Sequence, residues 1–130
     1  MRRPLAALAL LLCLGLSLLL WTPAAQAAEV LQVRSGNLLQ VGDHNRTYTV
    51  ELACLAIPEG GEAVAADWLR QGLPRRTRVN LRPTGNHDGT LVARVQPLNG
   101  ANLNGADRNG MDLSDGLISA GLASRPADCS

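Results

Sequence analysis

The chain has 130 residues, 46% of them hydrophobic, with 12 Lys and Arg against 11 Asp and Glu and a formal net charge of +1. It holds no lysine and no phenylalanine, and only two Trp and one Tyr. So balanced a charge gives no general attraction to nucleic acid or anionic membrane, and so few aromatic rings argue against a base-stacking platform.

Arg2 and Arg3 open the chain with positive charge, Leu5 to Leu20 form a nearly unbroken apolar run, and Ala25-Gln26-Ala27 offers small residues for a peptidase. These are the three parts of a secretory signal, and cleavage is expected after Ala27. The run is too short for the roughly 20 residues of a spanning helix, and Pro23 ends it. Cys13 stands inside it, after Leu12, where a lipoprotein signal wants a small residue. The expected product is an exported chain, periplasmic or extracellular, with no membrane attachment after cleavage.

Residues 28–130 then form one domain, since 103 residues suffice for one core and not for two. Without Arg2 and Arg3 it keeps ten arginines against eleven acids, and it reads as a monomer. Its two cysteines are Cys54 and Cys129, and an oxidising compartment favours a disulfide between them. The alternative is a buried thiol at Cys54 and a free tail over residues 124–130.

Glu29 to Arg34 reads as a first strand, turning through Ser35-Gly36-Asn37 into a second, Leu38 to Val41, closed by Gly42-Asp43-His44-Asn45. Thr47 to Ile57 is a third strand, rich in apolar and β-branched residues, stopped by Pro58. Glu62 to Leu73 has helical spacing, with Val64, Trp68 and Leu69 expected on the inner side and Pro74 as the stop. Thr77 to Arg82 is a fourth strand, Thr84 to Gly89 a turn, and Leu91 to Val95 a fifth strand. The Gly- and Asn-rich stretch 99–110 is expected to be a flexible loop, and Leu113 to Ala123 a short final helix weakened by Gly121. Five strands with a helix after the third predict a mainly β, α+β domain. Its expected form is a small, partly open five-stranded OB-type Greek-key barrel, capped at one end by that helix.

Four strings add to this: Val33-Arg34-Ser35-Gly36-Asn37, then Glu51-Leu52-Ala53-Cys54-Leu55-Ala56-Ile57-Pro58-Glu59, then Leu73-Pro74 with Thr77-Arg78-Val79-Asn80-Leu81, and Ile118-Ser119-Ala120-Gly121-Leu122-Ala123. In this order and spacing the chain resembles the thermonuclease, or staphylococcal nuclease-like, family from about Val30 to Ala123. The resemblance implies an OB barrel and calcium-assisted phosphodiester hydrolysis. Two aspartates would hold the cation, a glutamate would orient water, and two arginines would bind the scissile phosphate. Such chemistry needs a hard cation and fixed guanidinium forks because charge builds on the phosphoryl oxygens in the transition state.

This chain departs from that pattern at four of five positions. Asn37 stands for the metal-binding aspartate of the first turn, and Glu51 for an arginine, reversing the charge where phosphate would lie. Ala56 replaces the second aspartate, Thr90 replaces the second arginine, and Glu59 alone is kept. The expectation is a binding or structural module that has lost hydrolysis and needs no cofactor. The alternative is a calcium-dependent nuclease rebuilt around Glu59 with help from His87, Asp88 or Glu51. Arg75, Arg76, Arg78 and Arg82 form a candidate phosphate-contacting patch, read in preference as a solvated loop and strand edge, so nucleic acid is a possible partner and not the favoured one. His44 and His87 read as turn residues rather than metal ligands, and Asn45-Arg46-Thr47 is a glycosylation sequon.

Overall fold

Aliphatic residues at alternate positions build the barrel. The computed structural model describes residues 28–98 and 111–129; the expected signal segment 1–27 and the expected loop 99–110 lie outside the described residues. The order of elements is β1 (Ala28–Val33), β2 (Leu38–Asp43), β3 (Arg46–Leu52), α1 (Glu62–Gly72), β4 (Arg78–His87), β5 (Thr90–Pro97) and α2 (Leu113–Ser119). Among the described residues no helix is long and apolar enough to cross a membrane.

The strands close a ring in the order β1-β2-β3-β5-β4, an OB-type barrel with two short helices. The ring is fully closed rather than partly open. Its last seam is the short antiparallel pairing of Ala28 with Val79 and Glu29 with Arg78. Among the described residues the one parallel pair, β3 with β5, aligns Val50, Glu51 and Leu52 with Leu91, Val92 and Ala93. Leu39 and Val41 on β2, Val50 on β3, Val79 on β4, and Ala93 and Val95 on β5 point inward and are fully buried. A register shift between Val30 and Gln32 lets both Val30 and Val33 turn inward although they are three residues apart.

The third strand is shorter than its apolar run. It stops at Leu52 because the chain turns at Ala53–Cys54, where Cys54 takes a φ of 57° and its sulfur joins Cys129. The predicted disulfide is present, with Cα atoms 5.6 Å apart across 75 residues of sequence. On the loop-entropy view, closing such a loop stabilises the fold by about 4 kcal/mol. The fourth strand is longer than expected, running through the predicted turn to His87, and Asp88 (φ 51°) and Gly89 (φ 83°) alone make the reversal. Positive φ at both centres of a two-residue hairpin matches strand twist. His44 and Asn45, with φ of 47° and 65°, turn β2 into β3 in the same way.

The inner face of α1 differs from the expected one. Ala65, Ala66 and Leu69 are buried, Trp68 lies at the margin, and Val64 faces solvent at 55% exposure. Small residues win the inner stripe because the β1–β2 turn comes close. A Cβ on Gly36 would lie 2.8 Å from the Ala65 Cβ. The last helix ends at Ser119, short of Ala123. Gly121 (φ 76°) donates its N–H to the Ile118 carbonyl, and Leu122 donates to Leu117, which is a Schellman stop. Leu113 and Leu117 are fully buried, and Gly116 lets the Trp68 ring lie against the helix.

Candidate functional site

The β4–β5 hairpin brings together residues 36 positions apart in sequence. Glu51 on β3 lies between Leu38 of β2 and Val92 of β5, so its side chain leaves the barrel beside the hairpin end. There the His87 Nδ1 is 3.1 Å from one Glu51 carboxylate oxygen and 3.2 Å from the other. The His87 Nε2 is 3.6 Å from an Asp88 oxygen. The imidazole thus stands between two carboxylates, and protonated it answers both. The Glu51 side chain is 21% exposed, His87 66% and Asp88 96%, so water screens the Asp88 contact heavily. Glu51 is therefore not simply a solvent-facing strand residue. It fastens the hairpin tip to β3.

Asn37 reaches the same neighbourhood through the backbone, since its carbonyl accepts the Leu52 N–H at 2.8 Å. Its side-chain oxygen accepts the Ser35 hydroxyl at 2.9 Å, which closes the turn on itself. Thr90 is the strand partner of His87 across the hairpin. The other two positions lie beyond the Cys54 turn. Ala56 exchanges two backbone hydrogen bonds with Ser124, each 2.8 Å, so the C-terminal tail is laid beside it. Glu59 is exposed in the turn that Gly61 closes by donating to the Pro58 carbonyl at 2.9 Å. No hydrogen bond or ion pair joins Glu59 to Glu51, His87 or Asp88 among the described residues. Nor does any group of three or more His, Cys, Asp or Glu among them stand close enough to share a metal ion.

A second polar cluster fixes α2 and has no counterpart in the sequence reading. Asp112 accepts the Ser114 and Asp115 N–H groups at 2.8 and 3.2 Å, capping the helix, and its other oxygen accepts the Val95 N–H at 3.1 Å. It thereby satisfies a strand donor beyond the reach of β3. Arg94 stands 3.6 Å from Asp112 and 3.8 Å from Asp115, and Asp115 also pairs with Arg125. Ser114, buried, donates its hydroxyl to the Ala53 carbonyl at 2.7 Å. An open cleft of about 670 Å³ lies here, bounded by Asn80, Arg82, Arg94, Gln96 and Asp115. The Asp112 and Asp115 carboxylates compensate Arg94 within its walls. The signal for Asp112 was present as an aspartate one residue before an apolar helix, the usual capping position.

No family model and no curated protein matches this chain. The chemistry of the site therefore rests on its own residues. Arg75, Arg76, Arg78 and Arg82 are exposed, and none forms an ion pair among the described residues. Glu29 is the strand partner of Arg78, yet it makes no ion pair with it. Arg76 takes a φ of 71° while its N–H is held by the Val30 carbonyl at 2.7 Å. Neither aromatic ring of the domain is a stacking platform here, since Trp68 packs on Gly116 and Tyr48 packs against the core.

Proposed function

We propose that this chain is an exported module of the staphylococcal nuclease-like kind that has lost phosphodiester hydrolysis and serves as a binding or structural domain, a pseudoenzyme. One observation carries the reading: where the resembled family puts a phosphate-binding arginine, Glu51 presents a carboxylate already engaged by His87. A carboxylate there repels the substrate that the missing guanidinium would hold. Asn37, Ala56 and Thr90 supply no charge, and among the described residues Glu59 makes no hydrogen bond or ion pair with Glu51 or His87. Removing a single preorganised group from such a site typically costs a factor of about 10² to 10³ in rate, and losses within one site do not simply multiply. The Cys54–Cys129 disulfide supports export to an oxidising compartment, periplasmic or extracellular.

The test is cleavage of single-stranded DNA and RNA with calcium, with magnesium and with chelator, beside Glu59→Ala. The expected result is no metal-dependent cleavage above that of the variant. Metal-dependent cleavage that disappears in Glu59→Ala would overturn the reading in favour of a site rebuilt around Glu59. N-terminal sequencing of the exported protein is expected to begin at Ala28.

A further inference from the structure

The outer face of β4 and β5 sets two guanidiniums side by side. Val79 on β4 and Ala93 and Val95 on β5 point into the barrel, so Arg82 and Arg94 point out, and the strand register places them directly opposite each other. Opposed like charges weaken a strand pair, so the arrangement costs the barrel stability. Asp112 and Asp115 offset Arg94, and Asp115 also pairs with Arg125, but Arg82 has no ion pair among the described residues. Arg82, Arg94 and Arg125 thus stand against Asp112 and Asp115, and the positive charge left over sits at Arg82.

The hydrogen bonding is more one-sided than the charge. The Arg94 side chain is only 26% exposed, yet its contacts with Asp112 and Asp115, at 3.6 and 3.8 Å, are too long to be hydrogen bonds. Among the described residues neither Arg94 nor Arg82 donates one, and neither does the Asn80 side chain beside them. A guanidinium carries five N–H donors, and a mostly buried one without acceptors is costly. The nearby acceptors are spent elsewhere: Asp112 on the Val95, Ser114 and Asp115 N–H groups, and Asp115 on Arg125. All three donor side chains line the open cleft of about 670 Å³, within the size range of a small-molecule site, and Leu81 and Pro83 give it an apolar flank. A wall with donors to spare and its acceptors committed fits a ligand that brings acceptors and negative charge.

We propose that this cleft binds a small organic anion, its carboxylate or phosphate head held between the Arg82 and Arg94 forks with Asn80 donating beside them, and its body against Leu81 and Pro83. Both heads offer the paired oxygens that a guanidinium fork meets with two parallel hydrogen bonds. The site uses none of Asn37, Glu51, Ala56, Glu59 and Thr90, so it stands whether or not the domain hydrolyses phosphodiesters.

The probes are benzoate and phenyl phosphate, which share a ring and differ in the head, with neutral benzamide as the control. Each is titrated in low salt into the purified, disulfide-bonded protein while NMR follows the arginine Nε–H signals. One or both anions shift the Arg82 and Arg94 signals and benzamide does not; the tighter anion identifies the head. Arg82→Gln weakens binding about tenfold, the worth of one charge-assisted hydrogen bond, and melts at the same temperature or higher because an opposed like charge is gone. Arg46→Gln, on β3 and not in the cleft wall, leaves binding unchanged. The proposal is overturned if neither anion shifts those signals, if benzamide shifts them as much, if binding is indifferent to Arg82→Gln, or if Arg46→Gln weakens it as much as Arg82→Gln does.

Discussion

Gly36 has no positive φ to excuse it, so its side-chain space must explain it. A Cβ built there would lie 2.7 Å from Ile57 Cδ1, 2.8 Å from the Ala65 Cβ and 3.3 Å from the Glu62 carbonyl oxygen. Real Cβ atoms are essentially never found closer than 3.0 Å. The Ile57 methyl can rotate, but Ala65 is fully buried in α1 and has no rotamer to give. Gly36→Ala must therefore push the β1–β2 turn and α1 apart, at a cost of about 1 to 3 kcal/mol, the usual range for overpacking. For a domain of this size each kcal/mol lowers the melting temperature by roughly 4 to 8 °C. Thermal melting followed by circular dichroism, with urea titration beside it, gives both numbers. Adding Ile57→Val removes one of the two short contacts and is expected to restore only part of the loss, because the Ala65 contact remains. A Gly36→Ala protein within about 0.5 kcal/mol of the parent would refute the close packing of the turn on α1.

Reduction, or Cys54→Ser with Cys129→Ser, is expected to cost about 4 kcal/mol by the loop-entropy argument, read as a shift of the urea midpoint. Asp112→Ala removes a helix cap, a strand acceptor and an Arg94 partner together, and is expected to cost more than the roughly 1 kcal/mol of a cap alone, while Asp112→Asn keeps the cap. Burial, and then the Asp43 charge, raise the Tyr48 pKa above its ordinary 10.0. The folded state therefore holds that proton more tightly than the unfolded one. Its contribution is complete below about pH 10 and is lost as pH climbs through the raised value, so Tyr48→Phe is expected to flatten the fall in urea midpoint over that range.

Strand alternation, turn chemistry and the helix stop made the barrel legible from the chain alone. Val79 and Leu81 alternate with arginine and asparagine, and Pro74 closes α1. These are local facts, fixed by a period of two or by a residue that cannot donate a hydrogen bond. Composition also fixed the two cysteines as the candidate pair, and local identity named Glu51, His87, Asp88 and the four arginines of 75–82 one by one. Their relations were not local. That Glu51 meets His87 depends on the parallel pairing of β3 with β5 and on the register of a hairpin whose turn shrank to Asp88–Gly89. That Val64 faces water and Ala65 does not depends on how closely the Gly36 turn approaches α1. The end of β3 at Leu52 is set by the turn at Ala53–Cys54, and the partner of Cys54 in that turn, Cys129, lies 75 residues away in sequence. Periodicity reports which face of an element is apolar; which residue stands opposite, and at what distance, is set only when separate elements pack against one another.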